Sequence, residues 1–199
     1  MRVSKEQAAE NRARILAETA RMIREAGIGG VGVDALTRAA GLTHGSLYSQ
    51  FGSKERLVAE ALAQALETSG DKTRKELAAG GSLATIVARY LSPSHRDAPG
   101  GGCALAAIGP EAARQGGSVR RVFTGGVKGF ADRLAAVMPT NGPQPPEDAA
   151  LATVAALVGA LILARAVDDP ELSDRILAAS ARRLTAGDDG TAAGGPSPR

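Results

Sequence analysis

Tryptophan is absent from this chain, and cysteine occurs once, at Cys103. Without a second thiol no intramolecular disulfide can form, and a lone thiol fits the reducing conditions of a cytoplasm. Aromatic side chains are scarce as well, with two Tyr and three Phe among 199 residues. Alanine and leucine must therefore fill most of the core, and both are strong helix formers, which predicts an all-α fold. Two histidines and one cysteine make no convincing zinc site, so neither metal nor cofactor is expected. The "HRD" at 95–97 stands without the other kinase motifs, and the "GGG" at 100–102 lacks the Lys-Ser/Thr of a phosphate loop. Cys103 and His95 could pair as nucleophile and base, but no third group is there to orient them, and catalysis is not expected. Long hydrophobic runs are missing too. The longest, 149–164, is Ala-rich and interrupted by Thr153 and Gly159. A membrane span needs about 20 strongly apolar residues, so a buried helix is expected here and no membrane partner. The opening "MRVSKEQAAENRARI" has no apolar stretch before a cleavage site, so no secretory signal is expected and the reading is cytoplasmic.

What is present is uneven in charge. The net charge is +3, and residues 1–56 carry all of it, with nine Lys/Arg against six Asp/Glu. A basic bias at one end suits a polyanionic partner.

Hydrophobic periodicity predicts a helix over about 5–26, with Ile15, Leu16, Thr19, Ala20 and Ile23 on one face and Gly27 as its stop. Short helices over about 33–40 and 44–50 follow, separated by Gly41, with Thr43 as N-cap of the second. Ser53 caps a helix over about 54–69, whose apolar face is Leu57, Val58, Ala61, Leu62 and Ala65. Further on, 83–91 reads as helix, 92–102 as a Pro/Gly loop, and 103–115 as a helix kinked or ended by Pro110. A glycine-weakened helix over 118–138, a linker over 139–146, helices over 147–167 and 170–186, and a disordered tail over 187–199 complete the chain.

The order short helix, glycine turn, short helix is that of a helix-turn-helix. Leu36, Ala40, Leu42, Leu47 and Phe51 supply apolar contacts that lock three helices together. The outer face of the second short helix is left with Thr43, His44, Gly45, Ser46, Tyr48, Ser49 and Gln50, side chains that are short or planar and mostly able to hydrogen-bond. Gly45 lets the backbone approach a phosphate or base edge, and Tyr48 can donate its hydroxyl to a phosphate. Lys54 lies in the first turn of the next helix, where a cation opposes the helix dipole unless an anion is nearby; a DNA phosphate would be one. By spacing alone, a helical hairpin packed inside a bundle, or a helical adaptor that binds protein, would look the same.

The segments "RARILAETARMIREAG" (12–27) and "VDALTRAAGLTHGSLYSQFGSKERLVAEAL" (33–62), with the distance between them, resemble the N-terminal domain of TetR-family transcriptional regulators. The pattern G-x-LY-x-x-F-x-x-K-x-x-L over 45–57 is its specific part. The stretch "HRDAPGGGCALAAIGPEAAR" (95–114) also looks like one from the multidrug-type subgroup. Three positions depart from the family pattern. Gly32 stands where a Ser or Thr N-cap often contacts phosphate, Ile23 where an aromatic is common, and Thr37 where a small Ala often follows.

The resemblance implies a DNA-binding domain over 1–53 and a larger helical ligand-binding and dimerisation domain over 54–186. It implies a homodimer through the helices at 147–167 and 170–186, operator DNA of pseudo-palindromic sequence, and a small-molecule effector enclosed by helices between about 70 and 138. Tyr90, Cys103, Phe123 and Phe130 are the candidates for that pocket. The implied activity is a non-enzymatic, ligand-responsive regulator, most often a repressor; a thiol-sensing variant working through Cys103 is the alternative.

Overall fold

The computed structural model describes residues 5–41, 43–140 and 143–186. Leu42 and the tail at 187–199, for which a core role and disorder were expected, lie outside the described residues. Within them the chain is all-α: α1 (Lys5–Gly30), α2 (Val33–Ala40), α3 (His44–Phe51), α4 (Lys54–Ala78), α5 (Leu83–Tyr90), α6 (Pro93–Asp97), a 3-10 turn (Pro99–Gly101), α7 (Ala104–Ala112), α8 (Gly117–Ala135), α9 (Pro146–Ala166) and α10 (Pro170–Thr185).

The N-terminal helices end and begin where the sequence signals them. Helical hydrogen bonding in α1 is interrupted at Gly27, whose φ of 76° and ψ of 166° suit glycine alone, so the long helix stops there and one further turn follows. Gly41 closes α2 in the left-handed region (φ 66°, ψ 33°), as its place in the turn predicts. Thr43 caps α3 by accepting the Ser46 amide at 3.1 Å, and Ser53 caps α4 by accepting that of Arg56 at 3.1 Å. Gly32 precedes α2 without a side-chain cap, so that departure from the family pattern is structural too. The other two departures sit in the interior: Ile23 is buried, and buried Thr37 returns its hydroxyl to the Asp34 carbonyl at 3.0 Å.

Two expectations need correction. The helix expected over 54–69 runs on to Ala78. Gly70 does not end it; it is buried where the Arg133 guanidinium of α8 lies against α4, and a Cβ there would sit 3.2 Å from it. The expected loop over 92–102 is ordered as α6 and the 3-10 turn, because Ser92 accepts the His95 amide and Pro93 fills the first helical position. Pro110 stands inside α7, which ends two residues later.

Two apolar cores form. One joins Ile15, Ile23, Leu36, Leu47 and Phe51 of α1–α3 to Leu57, Val58 and Leu62 of α4, and reaches Ile108 of α7 and Val119 of α8. The first half of α4 thus shares the core of the three N-terminal helices. The other unites α5, α8, α9 and α10 around Ile86, Leu134, Leu157 and Leu161. Leu66 and Phe123 pack against both. Gly126 of α8 lets α4 come close, since a Cβ there would lie 2.6 Å from a Leu66 methyl. That glycine serves packing rather than the looseness its position in α8 suggested.

Candidate nucleic-acid interface and effector cavity

The hairpin α2–α3 presents α3 outward. Leu47 and Phe51 are fully buried, whereas Thr43, His44, Gly45, Ser49 and Gln50 are exposed, Ser46 is half-buried and Tyr48 is 48% exposed. This alternation gives α3 one face in the core and one open to a partner, with no acidic or basic side chain on the helix beyond His44. Several of the outer groups are already oriented. His44 Nε2 lies 2.5 Å from Asp34 Oδ1, and the Ser49 hydroxyl donates to the Ser46 carbonyl at 3.0 Å. A Cβ at Gly45 would meet only the Thr43 hydroxyl, at 3.9 Å, so an incoming surface can reach the backbone. Lys54 donates its amine to the Ile28 carbonyl at 3.1 Å, an intramolecular partner in the place where the sequence left room for a phosphate.

Arg12 is the residue the sequence reading missed. From α1 it stacks its guanidinium 4.3 Å above the Phe51 ring, donates to the Gln50 carbonyl at 3.2 Å and pairs with Glu60 of α4. It thereby ties the C-terminal end of α3 to both long helices. Arg38 and Arg56 are exposed on α2 and α4, at either side of the hairpin. Nothing in the spacing of these arginines separates them from ordinary solvated charges.

A second feature lies between α4, α5, α7 and α8. It is a cavity of about 100 Å³. Of the candidates, Tyr90, Cys103 and Phe130 line it; Phe123 does not, and packs against both cores. The Tyr90 ring stacks on Phe130 at 5.8 Å and meets His95 edge-on at 4.8 Å. His95 accepts the Cys103 amide at Nε2 (3.0 Å), so its proton sits on Nδ1 and is given to the Tyr90 carbonyl at 2.6 Å. Burial above all pushes the His95 pKa below its ordinary value, so the ring stays neutral and ties α5 to the start of α7. Its bond to Cys103 runs to the backbone amide, a positioning contact rather than that of a base on a nucleophile.

The cavity wall is joined to the N-terminal helices. Arg24 of α1 is half-buried and donates through both Nε (2.7 Å) and Nη2 to the Gly100 carbonyl, beside the cavity-lining Gly101 and Gly102. Arg165 of α9 holds the same segment from the other side, donating to the His95 and Arg96 carbonyls at 2.7 and 3.0 Å. Glu111 of α7 accepts the Gly29 amide at 2.9 Å. Ser118 of α8 donates to Glu55 of α4.

The chain is thus an all-α protein with an outward-facing helix-turn-helix, braced by a long helix that also walls a cavity. Residues 15–61 match the model of the bacterial regulatory proteins of the tetR family. The chain's overall fold is shared with E. coli NemR in its reduced form, at a TM-score of 0.76 and 20% identity over 89% of this chain and 96% of that one. A TetR-family regulator from Cytophaga hutchinsonii gives 0.75 at 23% identity (94% and 98% covered), and one from Agrobacterium tumefaciens 0.76 at 17% (90% and 97%). At these identities the likeness is one of fold. No curated relative matches the chain.

Proposed function

We propose that two copies of this chain pair through α9 and α10, set their α3 helices into successive major grooves of a pseudo-palindromic operator, and repress until a small molecule fills the cavity. The observation that carries this is the outward polar face of α3 on a hairpin whose inner face is fully buried. Thr43, Gly45, Ser46, Tyr48, Ser49 and Gln50 meet phosphates and base edges, with His44 held by Asp34 at the leading end. Support for the pairing comes from α9. It is apolar and long enough to cross a membrane by composition, yet only 39% of it is buried within one protomer. Leu151 and Leu163 of α9 and Leu172 of α10 are left 40–57% exposed, an apolar face that a second copy would cover. DNA as partner places the protein in the cytoplasm.

Release is a population shift. The effector must favour the DNA-incompetent arrangement by several kcal/mol, and operator DNA must weaken effector binding by the same factor. The bonds from Arg24 to Gly100 and from Gly29 to Glu111 carry a change at the cavity to α1. The segment 95–114, where the sequence resembles the multidrug-type subgroup, supplies the cavity's Gly101–Cys103 edge. Footprinting of the region upstream of the gene tests the proposal. The expected result is a two-fold-symmetric protected site with half-site centres one helical turn, about 34 Å, or a multiple apart. Absence of any protected site at low salt, with a partner protein captured through the same hairpin, would favour the adaptor reading. A Cys103 sensor would show as loss of DNA binding on oxidation that Cys103→Ser abolishes.

A further inference from the structure

The cavity carries uncompensated positive charge. Arg133 of α8 is half-buried, makes no ion pair among the described residues, and has its Nε buried without a hydrogen-bond partner. Its only ring contact is with Phe130, at 6.0 Å. Glu67, Asp71 and Asp132 act on it through space, but none comes within ion-pairing distance. Arg74, which is nearby, is itself paired with Glu67 and Asp71. Lys72 also lines the cavity with no ion pair among the described residues, while Arg89 is neutralised by Glu76 at 2.8 Å. Among the described residues no carboxylate lines the space. Arg133 is therefore a half-buried cation with carboxylates in its neighbourhood but none in contact, and a buried Nε–H left to donate.

Tyr90 points the same way. It is 4% exposed, it lines the cavity, and its hydroxyl has no partner of good hydrogen-bond geometry, the weakly accepting Cys103 thiol being the one side chain that acts on it at close range. Burial raises its pKa well above the ordinary tyrosine value, so it stays a donor at neutral pH. One wall therefore offers unused donors from Tyr90 and Arg133, while Leu66, Leu105 and Phe130 offer apolar surface.

We propose that the cavity takes a small organic anion, a carboxylate on a single ring or short branched chain, held by Arg133 and Tyr90 with Lys72 adding charge. This rests on the regulator reading only in calling that anion the effector; the binding preference stands without it. A charged hydrogen-bond partner recovers the cost of the unpaired cation, and the volume of about 100 Å³ suits one ring.

Calorimetry on the full chain with benzoate, benzamide and benzylamine tests the proposal, since the three share a ring and differ in charge. Benzoate should bind at least about tenfold more tightly than benzamide, and benzylamine should give no heat. Arg133→Gln should remove the benzoate preference while leaving benzamide unchanged, and Arg133→Lys should restore part of it. Benzamide or benzylamine equalling benzoate, undiminished benzoate binding by Arg133→Gln, or no benzoate binding at about 10 mM each overturns the proposal. Duplex binding is followed in the same samples. A preference for benzoate without DNA binding would sink the regulator reading and leave the anion site; DNA binding without that preference would do the reverse.

Discussion

Two glycines at the edges of the N-terminal helices should respond very differently to the same substitution. At Gly41 the backbone is left-handed, and a Cβ would meet nothing within 4 Å. Gly41→Ala therefore carries backbone strain alone, about 1–2 kcal/mol. At Gly27 the φ of 76° and ψ of 166° belong to a region essentially closed to other residues, costing about 1–3 kcal/mol. A Cβ there would also fall 2.2 Å from Glu111 Oε1. The carboxylate can swing away, but only by releasing the Gly29 amide it accepts at 2.9 Å. A hydrogen bond to a charged group contributes about 1.5–3 kcal/mol, so Gly27→Ala should cost about 2.5–6 kcal/mol in all. For a chain of this length 1 kcal/mol moves Tm by about 2–4 °C, so the two variants should separate clearly in thermal melts at matched protein concentration. In a Glu111→Ala background the cost of Gly27→Ala should fall to the backbone part, a coupling of about 1–3 kcal/mol. A Gly27→Ala melt equal to that of Gly41→Ala, or no coupling to Glu111, would refute the assignment of this contact as the joint between α1 and α7.

Leu47 is fully buried, so Leu47→Ala should cost about 2–5 kcal/mol and lower Tm and DNA affinity together in parallel melts and gel shifts. Tyr48→Ala, at a half-exposed position, should weaken binding to every duplex while stability stays within about 0.5 kcal/mol. His95 should make stability fall with acid. Its folded-state pKa lies below the ordinary 6.5, so the unfolded chain binds more protons near that value; the contribution is complete above about pH 6.5 and is lost as pH drops through the folded pKa. His95→Gln should flatten this part of the Tm profile between about pH 7.5 and 5.5. Leu163 is 57% exposed in the protomer, so Leu163→Glu should leave the fold intact and split the dimer in sedimentation equilibrium. A variant that remains dimeric would place the interface elsewhere.

The helix-turn-helix was legible because its signals are local. Gly41 turns, Thr43 caps, and Leu47 and Phe51 repeat four apart on one face. The length of α4 was not, because Ser69-Gly70 reads as an end until α8 lays Arg133 against it. The start of α6 was written in Ser92-Pro93 but masked by the glycines and prolines around it. Candidates for the cavity were chosen by residue type, which found Tyr90, Cys103 and Phe130. Phe123, chosen on the same ground, packs against both cores and is not part of that lining, since its direction depends on how α8 rotates between them. Arg133 stands three residues after Phe130 and so shares its face, a usable signal; that it lacks a counter-charge is a fact of three dimensions. Arg12 and Arg24 likewise read as solvated helix charges until the chain folds and gives each a carbonyl to hold.

The central claim is that the polar face of α3 lies against duplex DNA. Its most direct test is a fluorescence-anisotropy titration of the protein on a labelled duplex from its own upstream region, repeated across salt for wild type and Tyr48→Ala. The account predicts saturable binding, log K falling linearly with log salt at a slope of about −0.9 per phosphate contacted, and weaker binding throughout for the variant. A wild-type protein that ignores that duplex at low salt, or a Tyr48→Ala curve that superposes on the wild type, would contradict it.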